Sequence, residues 1–107
     1  MQVLKFGGTS VGSADNIKRV LSIVKEKLEK DKTIVVVSAM SGTTDALLNS
    51  GKMAAEGNEQ YKAALQLIEQ RHLETVKFLI PVQHQSHVLS LVKKLCNDIE
   101  DLCNGVF

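Results

Sequence analysis

Apolar and polar positions alternate with changing period along this chain, and each change predicts an element. Val3, Leu4 and Phe6 form a short apolar run around Lys5, which predicts a strand from Val3 to Phe6. Ile17, Val20, Leu21, Val24 and Leu28 then recur at helical spacing. They predict a helix from Ser13 or Ala14 to about Lys30, with Lys18, Arg19, Lys25, Lys27 and Lys30 on its solvated face. Asp31-Lys32 is a turn. Thr33-Ile34-Val35-Val36-Val37 is β-branched throughout and does not alternate, the pattern of a strand buried on both faces of a parallel sheet. Strand, helix and strand in that order predict a right-handed βαβ unit whose two strand ends deliver their loops to one edge.

The second of those loops is Ser38-Ala39-Met40-Ser41-Gly42-Thr43-Thr44-Asp45. Thr43 or Thr44 suits the N-cap of a following helix, which runs to about Glu56 and stops at Gly57. Tyr61, Leu65, Ile68, His72, Val76 and Leu79 make the next stripe, ended by Pro81. Val88, Val92, Leu95, Ile99, Leu102 and Val106 make the last, starting near Ser86. These two helices predict an antiparallel hairpin. The expected class is α/β, with residues 1–57 as a βαβα unit and 58–107 as the hairpin.

Composition narrows the function. The 107 residues suffice for one small domain. With 13 basic and 12 acidic residues the net charge is +1, so the chain lacks the polycationic footprint of a nucleic-acid binder. Three Phe, one Tyr and no Trp leave no base-stacking platform. No apolar run approaches the roughly 20 residues of a membrane helix, and no signal peptide opens the chain, so the expected location is cytoplasmic and without a membrane partner. Cys96 and Cys103 lie two helical turns apart, about 10 Å along the axis, too far for a disulfide. His84 and His87, between the last two helices, lack third and fourth ligands, so no metal site is expected. His72 sits on an apolar stripe and reads as a packing residue.

The chemistry concentrates in Lys5-Phe6-Gly7-Gly8-Thr9-Ser10-Val11-Gly12. Lys5 stands at a strand's carboxyl end, where open α/β sheets bind ligands. Gly7 and Gly8 let backbone N–H groups approach an anion, Thr9 and Ser10 add hydroxyls, and a helix N-terminus follows. This is not a Walker loop, because Ser13 stands where its lysine belongs, and the dinucleotide fingerprint is absent. The residues alone leave two readings open: a polyphosphate site, or a tight strand-to-helix turn with a solvent-facing lysine.

The contiguous string Lys5 to Val11 resembles the opening signature of aspartate kinases, in the amino-acid kinase family, and with Met1-Gln2-Val3-Leu4 it is most like the form fused to a homoserine dehydrogenase. Ser38 to Asp45 resembles the second motif of the same enzymes, with Asp45 where many relatives have Asn. The resemblance implies the start of a three-layer sandwich that binds ATP with Mg2+ and transfers its γ-phosphoryl group to the side chain of L-aspartate. That reaction opens lysine, threonine and methionine biosynthesis. It gives Lys5 the catalytic, charge-neutralising role and makes Gly7, Gly8, Thr9 and Ser10 the phosphate cradle. Ser38 and Thr44 become aspartate contacts, and no residue is assigned to the magnesium. It also implies a homo-oligomer for the complete enzyme. Such an enzyme is several times longer, so the chain reads as an incomplete catalytic domain, inactive alone. Two other readings stand beside it: a kinase for glutamate, carbamate or a nucleotide monophosphate, and a non-catalytic binding module that keeps the phosphate loop.

Overall fold

A computed structural model describes all of residues 1–107. The order is β1 (Gln2–Phe6), α1 (Ala14–Leu28), β2 (Thr33–Val37), α2 (Thr43–Ala55), α3 (Tyr61–Leu79) and α4 (Val82–Val106), an α/β chain with a two-stranded parallel sheet. It forms two compact units, Met1–Gly42 and Thr43–Phe107. The second unit takes in α2, which packs on both α3 and α4.

In the first unit β1 and β2 pair in parallel from Gln2↔Thr33 to Phe6↔Val37. Ser13 is the N-cap of α1, extended at φ −148°, and its Oγ accepts the Asn16 N–H at 3.2 Å. The far end is closed by Gln2, whose Nε2 donates to Lys27 O at 2.9 Å and to Thr33 Oγ1 at 3.1 Å. The Met1 ammonium and the Lys32 N–H both bond Asp31 and hold its carboxyl below the ordinary aspartate range. Val20 is the buried centre of α1, while Leu21 and Leu28 of the expected stripe are about half exposed, at 51% and 53%. The expectation for β2 is corrected as well. Ile34, Val35, Val36 and Val37 are 41–56% exposed, because the 107 residues do not supply layers to cover both faces.

In the second unit, α2 ends as Gly57 predicts. Gly57 takes φ +73°, its N–H donates to Ala54 O, and the Asn58 N–H donates to Met53 O, which is a Schellman closure. The start of α2 differs from expectation. Thr43 and Thr44 are both inside the helix, and Gly42 at φ +79° makes the entry turn. Ile80 is extended ahead of Pro81 and ends α3. The helix α4 begins at once, at Val82, so His84 and His87 lie in its first turns and not in a connection. Gln85 anchors the junction, with Nε2 donating to Lys77 O at 3.1 Å and Ile80 O at 2.6 Å.

The hairpin is antiparallel: Tyr61, opening α3, meets the end of α4. Its hydroxyl donates to Asn104 Oδ1, and its ring lies 5.3 Å from that of Phe107. Tyr61, Ala54, Leu65 and Cys103 form the core, with Met53, Ile68 and Ile99 packed on it. The seam of α4 runs through Val88, Val92, Cys96, Ile99 and Cys103, while Leu95, Leu102 and Val106 are exposed. A straight helix drifts about 20° per seven residues, so Leu95 and Leu102 rotate off a face that Val88 starts on. His72 packs as expected, its Nδ1 2.7 Å from Ile68 O. No helix is long and apolar enough to cross a membrane.

Both cysteines are free thiols, Cys103 buried and Cys96 half-buried. Burial, then the Glu69 carboxylate, pushes the Cys96 thiol up. The folded state thus keeps this proton longer than the unfolded chain does, and its stability falls as pH rises above the ordinary thiol value of about 8.5. Iodoacetamide at pH 8 is expected to label both thiols slowly in buffer and rapidly in denaturant. Fast native labelling, read by mass spectrometry, would show that the α3–α4 seam opens.

Candidate functional site: the turn after β1

The turn from Phe6 to Ser13 is fixed through its carbonyls. Phe6 O accepts the Ser38 N–H at 3.1 Å, Gly7 O the Val11 N–H at 3.3 Å, and Gly8 O the Ser41 N–H at 3.1 Å. Thr9 O accepts twice, from the Gly12 N–H at 3.2 Å and from Asn16 Nδ2 at 3.0 Å. No peptide bond is cis, so each N–H points opposite to the carbonyl of its own peptide unit. Four successive carbonyls are held by the protein. The N–H groups that follow them, of Gly7, Gly8, Thr9 and Ser10, donate to no backbone carbonyl. Free backbone N–H groups at a strand-to-helix turn are donors of the kind that bind anions.

The glycines serve different purposes. None in this turn has a positive φ, so space and not backbone freedom explains them. A Cβ on Gly8 would stand 3.1 Å from Ala39 O and 3.3 Å from Ser41 Cα. One on Gly12 would stand 2.7 Å from Ser41 Oγ, 3.1 Å from Gly8 O and 3.3 Å from Thr9 O. Both let the loop after β2 close onto the turn. A Cβ on Gly7 would meet nothing within 4 Å, so its room faces outward. Val11 is buried and anchors the loop from beneath.

Lys5 is exposed and in register with Val36, and its charge has no carboxylate partner. Strand alternation puts it on the face opposite Phe6. Phe6 instead joins Thr9, Ser10, Asn16, Arg19, Val20 and Ile23 around an open cleft of about 320 Å³. Thr9 and Ser10 thus carry two of the free N–H groups and also line this cleft, whereas Lys5, Gly7 and Gly8 do not line it. Ser38 sits immediately beyond β2, joined to the turn through its bond to Phe6. Thr44 is exposed in the first turn of α2 and belongs to the second unit. Its neighbour Thr43 is the buried one of the pair, with Arg71 Nη1 3.5 Å from its Oγ1. Of the expected residues, Lys5, Gly7, Gly8, Thr9, Ser10 and Ser38 thus share one unit, and Thr44 stands in the other. Gly12, Asn16 and Ser41 were not among the residues expected to act there. Only Gly12 left a signal, as a further glycine one helical turn after Gly8.

These roles of the glycines have a direct test. Gly12→Ala is expected to displace the two loops and weaken the folding of the first unit, since two of its three close contacts are backbone oxygens. Gly7→Ala should leave folding unchanged and weaken polyphosphate binding alone. Thermal melts and pyrophosphate titrations of both variants check this. Equal melting losses in the two would count against the distinction.

The comparisons with known proteins bear on the family. Residues 1–104 match the model of the amino acid kinase family, and the chain belongs to that family. Among curated relatives, the bifunctional aspartokinase/homoserine dehydrogenase 1 of Arabidopsis thaliana is 30% identical over 105 residues, 98% of this chain and 11% of the relative. The bifunctional enzyme of Daucus carota is 36% identical over 90 residues, 75% of this chain and 10% of its own length. The aspartokinase of Geobacillus stearothermophilus reaches 53% over 51 residues, 47% of this chain and 12% of its own length. The chain spans about a tenth of the length of these relatives.

Proposed function

We propose that this chain supplies the phosphate-gripping start of an aspartate kinase, which transfers the γ-phosphoryl group of ATP to the side-chain carboxylate of L-aspartate. The observation that carries the reading is the run of four unclaimed N–H groups beside an unpaired lysine. Aspartokinase relatives favour aspartate as the acceptor. In the reaction a carboxylate oxygen attacks the γ-phosphorus, the bond from that phosphorus to the bridging oxygen breaks, and ADP departs. Catalysis of this kind rests on positioning and charge stabilisation. Gly7, Gly8, Thr9 and Ser10 donate backbone N–H bonds to phosphate oxygens, the Thr9 and Ser10 hydroxyls stand beside them, and Lys5 neutralises charge on the transferring group. Ser38 and Thr44 hold aspartate. Mg2+ would accompany ATP and offset phosphate charge, and no residue of this chain is assigned to hold it. The complete enzyme, in this reading a cytoplasmic homo-oligomer, provides the remaining contacts, so the 107 residues alone are inactive.

A hydroxamate assay tests the reading. Magnesium-ATP, aspartate and hydroxylamine should give aspartyl hydroxamate with the complete kinase and none above blank with this chain. Glutamate as the preferred acceptor would overturn the substrate. In the complete kinase Thr44→Val should raise the aspartate KM about ten- to hundredfold, the cost of one hydrogen bond to a charged group. The ATP KM should barely move, and an equal rise in both constants would remove Thr44 from the aspartate site.

A further inference from the structure

We propose that Asn16 is a positioning residue for the phosphate turn, acting through the peptide unit that joins Thr9 to Ser10. The inference rests on the phosphate reading above and names a residue that reading does not use.

Three of the four carbonyls behind the free N–H groups, Phe6 O, Gly7 O and Gly8 O, accept from backbone N–H groups. The fourth, Thr9 O, has a backbone donor, Gly12 N–H at 3.2 Å, and a side-chain donor, Asn16 Nδ2 at the shorter 3.0 Å. Asn16 is itself well fixed. It lies in the first turn of α1, and its own N–H donates to the capping Ser13 Oγ. The side chain therefore reaches from a rigid helical turn back to the loop that precedes it. Because the Thr9–Ser10 peptide is planar and trans, drawing Thr9 O toward α1 aims the Ser10 N–H away from it. An amide aimed before the ligand arrives needs no reorganisation on binding, which is how fixed dipoles hold developing charge. Without Asn16, one donor remains to hold a peptide at the exposed crest of the turn.

The test has two arms, both on the 107-residue chain. The first reads the pin with no ligand present, as the backbone order parameter of Ser10 by NMR. Ser10 is expected near the rigid value of about 0.85 in the unaltered chain and below about 0.6 in Asn16→Ala. The second titrates magnesium pyrophosphate. Asn16→Ala should bind roughly two- to tenfold more weakly, the range of one hydrogen bond, with the same melting temperature. Asn16→Asp removes the donor but adds charge where a helix start favours it. It should melt at or above the unaltered chain yet bind pyrophosphate more weakly still. An unchanged Ser10 order parameter in Asn16→Ala overturns the proposal. So does a loosened Ser10 with unchanged affinity, which would make the bond structural only. A loss confined to Asn16→Asp overturns it too, since charge alone then explains the effect. If the unaltered chain binds no pyrophosphate while the first arm succeeds, the phosphate reading has failed, and the proposal falls with it for that separate reason.

Discussion

Lys5→Met in the complete kinase is expected to lower kcat by about 10²–10³, the usual cost of one preorganised electrostatic donor. The backbone of Lys5 is fixed by pairing in β1, and Gly7, two residues on, opens onto free space. No carboxylate in the chain neutralises the ammonium, so its charge is available to a ligand. Methionine keeps the length and the apolar stem. Because the side chain is exposed, folding should be unaffected. Lys5→Arg should rescue only in part, since a planar fork does not reproduce a compact point charge. Steady-state kinetics on the folded variants decide the matter. A near-normal kcat for Lys5→Met would reduce the lysine to a surface residue of a tight turn.

The second large effect is on stability. Tyr61→Ala is expected to remove about 3–5 kcal/mol, the range for deleting a large buried aromatic side chain. Tyr61 is 1% exposed at the centre of the core, and three elements meet there: α2 through Ala54, α3 through Leu65 and α4 through Cys103. Domains of this size have only about 5–15 kcal/mol in total, so helical circular dichroism should melt at far lower denaturant. Tyr61→Phe keeps the ring contact with Phe107 and loses only the bond to Asn104, for about 1 kcal/mol. If the two variants melt alike, the hydroxyl and not the ring holds the three helices together.

Elements whose ends are written in local chemistry were legible in the sequence. Ser13, Gly57 and Pro81 cap or stop their helices because their effects need no distant partner. The β-branched run at Thr33–Val37 gave β2 its limits for the same reason. Faces were harder to read. The exposed positions Leu95 and Leu102 share a seven-residue spacing with Val88, and spacing alone could not show that Cys96 and Cys103 take the seam. The polar stretch around His84 was placed in a connection, yet the helix starts directly after Pro81, whose carbonyl accepts the His84 N–H, and Gln85 found its partners at the end of α3. In the turn after β1 the sequence exposed the lysine and the glycines. What holds the turn there is a set of carbonyls, and a carbonyl has no letter of its own. Thr44 could be named from a motif, but its separation into the second unit is a property of packing that no motif records.

Two of the carbonyl bonds have a consequence for how the chain matures. Phe6 O and Gly8 O are held by Ser38 and Ser41, which enter the fold only after α1 and β2 have been made. A nascent chain emerging from the ribosome therefore holds the whole lysine–glycine string long before the turn is held in place. The turn reaches its final shape when β2 docks beside β1. By mass action the dependence runs both ways: nucleotide at a hundred times its Kd would favour the docked pair by about 2.7 kcal/mol. On the proposed function, ATP would then act as a folding ligand for the first unit, consolidating the strand pair during synthesis.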